Sequence, residues 1–465
     1  MPASTFMSSD AIRAAFSAAM SVMYRQEVPA YGTLMELVSD INAATLQKQP
    51  ALRASLEATE TLDRISEERH GAIRLGTEAE LAMMRRVFAV MGMFPVGYYD
   101  LSEAGVPVHS TAFRPVDEAS LRINPFRVFT SLLRLDLIAD PQLRVAAQKT
   151  LGARRIFSDD AIALVEKAER DGGLSRADGE RFVAEVLNTF RWHEEASVER
   201  ALYDRLHATH RLVADVVSFK GPHINHLTPR TLDIDAVQDE MPKRGIVPKA
   251  VVEGPPSRAC PILLRQTSFK AIEERVSFPD AEGNLVGGSH TARFGEIEQR
   301  GVALTPKGRS LYDRLLNETR AKVRPAADGS NAQAYGAALK ESFVTFPDDW
   351  NAIRMAGLGY FLYSIVPGAD FSTLGGDEIE ALVEAGVVRF DPIIYEDFLP
   401  VSAAGIFQSN LGDAVVQDFV ASPNQRLFEK ALGTFVLNEF DHYARIERTS
   451  IEQCLAAARA VSAAA

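Results

Sequence analysis

The sequence predicts an α+β protein in which a central, barrel-like β-sheet is built from two βαβββ units and extensive helices are added. Three observations predict this class. The chain has 465 residues, of which 46 % are hydrophobic, so it can bury a large core. Segments with helical periodicity alternate with short strand-like segments. Short motifs recur in the same order within residues 66–306, as expected of a repeated unit.

Composition excludes several classes of protein. The net charge of -12 leaves no basic face of the kind that non-specific nucleic-acid binding needs. The two cysteines, Cys260 and Cys454, form no CxxC motif, which argues against a disulfide scaffold or a thiolate zinc site. No apolar run reaches the roughly 18 residues of a membrane helix, and the N-terminus lacks a signal-peptide pattern. We therefore expect a cytoplasmic protein with neither nucleic-acid nor membrane partners.

Three regions follow one another along the chain. Residues 1–65 are expected to form N-terminal helices. Residues 66–306 are expected to form the catalytic core of two βαβββ units, with a helical insertion at about 120–215. Residues 307–465 are expected to form a helical region that packs on the core and closes the site.

Capping residues and strand-like runs mark the individual elements. Ser9 or Asp10 can cap the helical segment AIRAAFSAAMSVMY. The strand-like segment RHGAIRLGT precedes a helix that Thr77 and Glu80 open as a capping box. KGPHINHLTPR, CPILLRQTSF and ERVSFP are further strand candidates, and HTARFGEIEQRG has the pattern of one strand.

The repeat within the core rests on short motifs that occur twice. The paired motifs are HxxxR at His70–Arg74 and His226–Arg230, GxxP at Gly92–Pro95 and Gly245–Pro248, and HxxxF at His109–Phe113 and His290–Phe294. Each unit accordingly has a strand, a helix and then about three strands. Aligning the two halves on these motifs places Pro115 opposite Glu296.

Alternation along the strands points to a metal site. His70 and Arg74 share one strand face, and Glu296 and Glu298 share another. If the two units close a barrel-like sheet, His70 and His226 each offer an imidazole inward, and the last strand offers a carboxylate. Two imidazoles and one carboxylate are the ligand set of non-haem Fe(II) oxygenases, with positions left for a chelating substrate and dioxygen. Alternation alone leaves Glu296 and Glu298 as alternatives.

Longer blocks of the sequence resemble a known family. RHGAIRLGT, FKGPHINHLTPRTLDID, PILLRQTSFKA, HTARFGEIEQRGVALTPKG and LPVSAAGIFQSN are similar to the 2-oxoadipate dioxygenase/decarboxylase family. This family is a bacterial branch of the vicinal oxygen chelate superfamily, and the resemblance runs from about residue 66 to about 410. It implies a pair of βαβββ units, an Fe(II) cofactor, and conversion of 2-oxoadipate and dioxygen to 2-hydroxyglutarate and carbon dioxide in lysine catabolism.

The resemblance also implies roles for individual residues. The metal ligands would be His70, His226 and Glu296, because FGEIEQR resembles the EI-x-QR strand of 4-hydroxyphenylpyruvate dioxygenase and hydroxymandelate synthase. INHLTPRTLDI resembles the corresponding histidine strand, which favours His226 over His223. Arg74 would anchor the distal carboxylate of the 2-oxo dicarboxylate substrate. The loop residues Val401 and Ser402 would form a second substrate contact.

Two other classes of function remain open at this point. A zinc or manganese enzyme of the same superfamily could catalyse hydrolysis or isomerisation, and a non-catalytic protein could bind 2-oxo acids around a structural metal. Enzymes of the first kind often use four protein ligands, so Pro115 opposite Glu296 favours an open site. Arg74 favours a dicarboxylate, because an apolar substrate tail would leave its charge desolvated and unpaired.

Overall fold

The computed structural model describes residues 6–59, 65, 68–326, 329–369, 378–399 and 424–462. Within these residues, the strands are β1 (Glu68–Leu75), β2 (Phe94–Asp100), β3 (Val108–Arg114), β4 (Arg127–Leu133), β5 (His226–Pro229), β6 (Leu264–Ser268), β7 (Glu273–Pro279), β8 (Leu285–Thr291), β9 (Phe294–Arg300), β10 (Phe361–Ile365) and β11 (Val388–Pro392).

The helices of the same residues are α1 (Ser9–Glu27), α2 (Pro29–Lys48), α3 (Pro50–Thr59), α4 (Glu78–Val90), α5 (Glu118–Ile123), α6 (Pro141–Ala153), α7 (Asp159–Asp171), α8 (Arg176–Thr189), α9 (Arg200–Thr209), α10 (Arg211–Ser218), α11 (Ile234–Glu240), α12 (Pro306–Lys322), α13 (Ala332–Ser342), α14 (Trp350–Met355), α15 (Ile379–Glu384), α16 (Gln425–Leu432) and α17 (Glu439–Ser462). In this part of the chain, none of them is both long and apolar enough to span a bilayer.

Side-chain caps set the start of the helices around the sheet. The hydroxyl of Ser8 accepts a hydrogen bond from Ala11 N, so α1 is capped one residue before the predicted position. The predicted capping box of α4 is confirmed. The hydroxyl of Thr77 accepts from Glu80 N, and the Glu80 carboxylate accepts from Thr77 N.

A seven-stranded, curled half-barrel sheet in the order β2-β3-β4-β1-β5-β9-β6 forms the centre of the fold, which confirms the predicted class. β1 runs parallel to β4, and β5 runs parallel to β9. The two first strands, β1 and β5, meet antiparallel, with His70 opposite Thr228 and Ala72 opposite His226. This register relates the two repeats by an approximate two-fold axis, which places the two histidines in equivalent positions.

Two smaller sheets lie beside the central one. β7 and β8 form a two-stranded sheet, and β10 and β11 form another. The stretch HTARFGEIEQRG is therefore not one strand. His290 belongs to β8, whereas Phe294 begins β9.

The repeat alignment drawn from the HxxxF motifs is wrong at its last strand. The strand equivalent to β9 is β4, because each runs parallel beside the first strand of its repeat. His70 is in register with Arg127, and His226 is in register with Phe294. Two residues further along, Phe129 is therefore the counterpart of Glu296, and Pro115 is not. The motifs misled because His290 and Phe294 lie on two strands.

Strand β4 lies within the range 120–215, for which patterning predicts mainly helix. All seven of its residues are buried. A strand that is buried on both faces has no polar–apolar alternation, so its sequence RVFTSLL is hard to distinguish from a buried helical segment.

The core lies on both faces of the sheet. Ile73 and Val128 belong to a hydrophobic cluster that includes residues of α1, α2, α4 and α8. Ala72 and Phe129, which point to the opposite face, belong to a second cluster with residues of α9 and α10. His70 shares its strand face with Ala72, so the predicted site lies on the side of the second cluster.

Glycines adjoin two of the predicted ligands where the backbone is closely covered. A Cβ atom on Gly71 would lie 2.6 Å from Ile224 Cδ1. A Cβ atom on Gly295 would overlap the ring of Phe269 and would lie 2.9 Å from Leu34 and 3.0 Å from Tyr31, both on α2. Only glycine fits at these positions without moving the strand or its neighbours.

The chain divides into two compact units. The larger comprises Met1–Val252, Gln266–Glu298 and Phe398–Val436, and the smaller comprises Glu253–Arg265, Gln299–Asp397 and Leu437–Ala465. The predicted ligands His70, His226 and Glu296 all belong to the larger unit.

Candidate metal centre

Three neighbouring strands bring the predicted ligands together. His70 lies on β1, His226 begins β5, and Glu296 lies on β9. One ligand atom from each side chain can be chosen so that all three atoms lie within 4.8 Å of one another, and all three residues are buried. The structure thus places the predicted residues in one group, although they are separated by up to 226 positions in sequence.

Hydrogen bonds orient the carboxylate of Glu296. Its Oε1 lies 3.0 Å from His70 Nε2 and 3.9 Å from His226 Nε2. The Gln266 amide donates to the same oxygen at 2.8 Å, and the Thr228 hydroxyl donates to it at 3.3 Å. Several partners therefore fix one carboxylate oxygen between the two imidazoles.

The local environment favours the ionisation states that metal ligands need. Burial is the main reason that the pKa of His226 falls to about 3; the charge of Glu296 opposes this shift. Burial raises the pKa of Glu296, but the two imidazoles outweigh this effect, so the pKa lies below its ordinary value. At neutral pH the site therefore presents a neutral imidazole at His226 beside a carboxylate at Glu296.

The group fits a divalent transition metal. Within the described part of the chain, neither ring nitrogen of His226 has a hydrogen-bond partner. A buried imidazole without a partner is unfavourable unless another group uses its lone pair. Two nitrogen donors and one carboxylate oxygen suit a metal such as iron, zinc or manganese.

Glu298, the alternative to Glu296, also faces His70 but has different partners. Among the described residues, the possible metal-ligand group contains Glu296 and not Glu298. Glu298 Oε2 instead lies 3.0 Å from His70 Nδ1. The two carboxylates of the strand thus flank opposite sides of one imidazole.

Aromatic side chains also pack around the His70 ring. The ring of Phe398 meets the His70 ring edge-on, with centroids 4.8 Å apart. Phe129 packs against Phe398 at 4.9 Å and against Tyr99 at 5.3 Å. These rings form an apolar wall beside His70.

Arg74 lies in a buried cluster that sequence reasoning missed. Its Nη1 atom lies 2.6 Å from Asp215 Oδ2, on α10. Asp215 Oδ1 lies 2.8 Å from His290 Nε2 and 3.2 Å from His223 Nε2. Burial opposes ionisation of Asp215, but His223 and Arg74 hold its pKa well below the usual range. The signal in the sequence was a single acidic residue within LVADVVS, the otherwise uncharged part of α10.

The remaining predicted site residues, Val401 and Ser402, lie outside the described residues. Their predicted contact with the substrate stays a prediction.

Comparisons with known proteins identify the family of this chain. A family model described as 2-oxoadipate dioxygenase/decarboxylase matches residues 16–410. The Pseudomonas putida KT2440 protein named 2-oxoadipate dioxygenase/decarboxylase is 58 % identical over 464 residues, which are 98 % of each chain. The Escherichia coli K12 protein of the same name is 54 % identical over 451 residues, covering 96 % of this chain and 98 % of the other.

A solved structure extends the likeness to three dimensions. The crystal structure of the hydroxyglutarate synthase from Pseudomonas putida in complex with 2-oxoadipate matches with a TM-score of 0.90 at 57 % identity. The match covers 98 % of this chain and 100 % of the other. From the sequence, the fold and these relatives together, this chain belongs to the 2-oxoadipate dioxygenase/decarboxylase family.

Proposed function

We propose that this chain is a non-haem Fe(II)-dependent dioxygenase and decarboxylase that converts 2-oxoadipate and dioxygen to 2-hydroxyglutarate and carbon dioxide in lysine catabolism. The observation that carries the proposal is the buried group of His70, His226 and Glu296, whose ligand atoms lie within 4.8 Å of one another. The names of the relatives and the 2-oxoadipate in the Pseudomonas putida structure support the choice of substrate.

The donor set supports iron over a closed structural metal site. Among the described residues, no fourth histidine, cysteine or acidic residue joins the ligand group. Three protein ligands leave coordination positions for a chelating 2-oxo acid and for dioxygen. When bound, Fe(II) supplies the redox chemistry that allows dioxygen to react with the 2-oxo acid.

Arg74 is the proposed substrate anchor. Its guanidinium points from the same strand face as His70, and Asp215 fixes one of its nitrogens at 2.6 Å. A guanidinium held in this way can bind a carboxylate in two-point fashion with little loss of side-chain entropy. A 2-oxo dicarboxylate carries such a group at the end distant from its oxo acid.

Charge near the ligands also suits a dianionic substrate. The positive charges of Arg74 and Lys249 both act on His226, as does the burial that dominates its low pKa. Lys249 is itself only 8 % exposed. Cationic side chains in a buried site favour an anionic ligand over a neutral one of the same shape.

The closing of the site by the region 307–465 and the contact through Val401 and Ser402 belong to the same proposal. They rest on the family resemblance, which gives the loop a role in holding the substrate.

Oxygen uptake by the purified, Fe(II)-loaded protein tests the proposal. Adding 2-oxoadipate is expected to start uptake that is matched by carbon dioxide release and is absent from chelated and zinc-loaded samples. Because even partners outside the ligand set are worth roughly 10- to 100-fold, Glu296→Gln should lower turnover by more than about 100-fold.

Glu80→Gln is the matched control for this experiment. Glu80 is a buried carboxylate that pairs with Arg154 at 2.7 Å and lies outside the ligand group, so its loss should affect stability and not turnover. No uptake with any short 2-oxo dicarboxylate, despite bound metal, would instead favour a hydrolase, an isomerase or a binding protein.

A further inference from the structure

Glu298 is a fully buried carboxylate that the proposed reaction does not use. It lies two residues after Glu296 on β9 and has no exposed side-chain surface. Its Oε2 atom lies 3.0 Å from His70 Nδ1. Its Oε1 atom accepts a hydrogen bond from Arg127 Nη2 at 3.0 Å, and Arg69 Nε lies 3.9 Å away.

The two nitrogens of His70 face different carboxylates. Nε2 lies 3.0 Å from Glu296 Oε1 and so faces the ligand group, whereas Nδ1 faces Glu298. A neutral imidazole that binds a metal through one nitrogen carries its proton on the other. A metal on Nε2 would leave the proton on Nδ1, the nitrogen on the side of Glu298; Nδ1 and Glu298 Oε2 lie 3.0 Å apart but are not aligned as a hydrogen bond.

The arginines explain how a second carboxylate can be buried so close to Glu296. Removing a carboxylate from water is costly unless opposite charges and hydrogen bonds replace the solvent. Arg127 and Arg69 supply two positive charges, and the side chains of both are fully buried. Arg127 also lies over the ring of Phe398 at 5.8 Å, which restricts its movement.

His226 lacks a comparable arrangement. Its ring stacks on Phe294, with centroids 4.7 Å apart, and among the described residues the carboxylate paired with it is that of Glu296, 3.9 Å from Nε2. The imidazole of the first repeat therefore has a carboxylate partner behind it, while the imidazole of the second repeat is held by ring stacking.

We propose that Glu298 is a positioning residue that fixes the tautomer and ring orientation of His70 and thereby strengthens binding of the divalent metal. The inference rests on the proposed metal site and adds to it a carboxylate–histidine–metal arrangement at His70 but not at His226. A carboxylate behind a histidine ligand raises the basicity of the ligating nitrogen and holds the ring in place.

Titration of the metal-free protein with Co(II), followed through the visible absorption of the bound ion, tests this role without turnover. Glu298→Gln should raise the dissociation constant for Co(II) by roughly 10- to 100-fold. Glu296→Gln, which removes a ligand, should have the larger effect and should alter the band pattern. Glu80→Gln should leave the dissociation constant unchanged, although it also removes a buried carboxylate next to an arginine.

The three variants separate failure of this inference from failure of the proposed site. The positioning role alone would be overturned if Glu298→Gln kept a Co(II) affinity within about twofold of wild type while Glu296→Gln clearly lost affinity. A twofold change is well below the roughly 10-fold minimum effect of residues that support a metal ligand. Loss in Glu298→Gln that equals the loss in Glu296→Gln would make Glu298 a ligand. Unchanged affinity in both would refute the metal site itself.

A second variant allows the same test if the single substitution prevents folding. If Glu298→Gln does not fold, the double variant Arg127→Met with Glu298→Gln removes one buried positive charge together with the carboxylate. The same Co(II) titration on that protein is expected to show the same weakening, and wild-type affinity there would refute the role.

Discussion

The two repeats of the central sheet hold equivalent histidines but differ in the strand beside each one. In the second repeat, β9 places Glu296 next to Thr228 and Gln266, which both donate to its carboxylate. In the first repeat, β4 places Phe129 at the equivalent position, packed against Phe398. Symmetry of the backbone thus supplies two candidate imidazole ligands, and divergence of the side chains supplies a single candidate carboxylate.

This difference between β4 and β9 explains how two repeats with the same backbone can form an open metal site. Full symmetry at the two positions would give either no carboxylate or two. With one acidic and one aromatic residue at these two positions, one carboxylate faces the imidazoles and an apolar ring occupies the equivalent place. A dry wall beside open coordination positions limits the access of water to a reactive site.

Replacing Phe129 with an acidic residue should have the largest effect on the site. In Phe129→Glu, we expect a fourth protein ligand to reach the metal, so that Co(II) binds more tightly and 2-oxoadipate-dependent oxygen uptake falls by more than about 100-fold. A loss of this size equals or exceeds the roughly 100-fold upper limit for changes to residues that only support metal ligands. Metal titration and oxygen uptake on the same preparation measure both changes.

Phe129→Leu is the control for this variant, because it keeps an apolar side chain in the same buried place. It should keep most of the turnover and metal affinity of the wild type. Equal loss of turnover in Phe129→Leu and Phe129→Glu would show that the ring matters for packing and would remove the argument about coordination.

The two arginines that follow the histidines by four residues allow a second test. Arg74 pairs with Asp215, whereas Arg230 has no assigned role in binding substrate. Since hydrogen bonds to charged groups contribute about 1.5 to 3 kcal/mol, Arg74→Ala should raise the KM for 2-oxoadipate by roughly 10- to 100-fold. It should also abolish the preference for 2-oxoadipate over 2-oxohexanoate.

Arg230→Ala is the matched variant in the other repeat. It should leave that preference intact, even if it lowers stability. A similar loss of preference in both variants, or in neither, would contradict the assignment of Arg74 as anchor. Steady-state kinetics with the two substrates provides the measurement.

The smallest expected effect concerns His109 on β3, which lies between β2 and β4 in the first repeat. Burial is the main reason that its pKa falls to about 4, and Arg134 adds to the shift, while Asp100 and Asp136 oppose it. The unfolded chain therefore takes up this proton more readily. Stability is fully present above about pH 6.5 and decreases as the pH falls towards 4, by about 1 kcal/mol at pH 5.5.

His109→Phe should remove this part of the pH dependence, because the new ring can pack in the same place against Phe428, whose centroid lies 4.7 Å from that of His109. Urea unfolding at pH 7.0 and 5.5 compares the free energies of the two proteins. An identical decrease in both proteins would show that the proton goes elsewhere.

Much of the candidate metal-binding group could be predicted from the sequence. Strand alternation placed His70 and His226 inward, and the family resemblance distinguished Glu296 from Glu298. The choice needed that resemblance because both carboxylates share a face, and only the packed structure reveals that Arg127 draws Glu298 to the far side of the imidazole.

Other parts could not be predicted, for physical reasons. Asp215 lies on α10, 141 residues from Arg74, and no local spacing connects the two. Strand β4 is buried on both faces and therefore carries no period-two pattern. The counterpart of Glu296 depends on which strand pairs with which, and this pairing is a long-range property.

The glycines behind the ligands have a consequence for protein engineering. Exchanging glycine for alanine is a common way to stabilise a protein, since it reduces the freedom of the unfolded chain. At Gly71 the added methyl group would press on Ile224, and at Gly295 on Phe269 and helix α2, next to two of the candidate ligands. A thermal-shift screen of metal-free protein would score such variants by melting temperature alone, so libraries of this enzyme should be screened with the metal present.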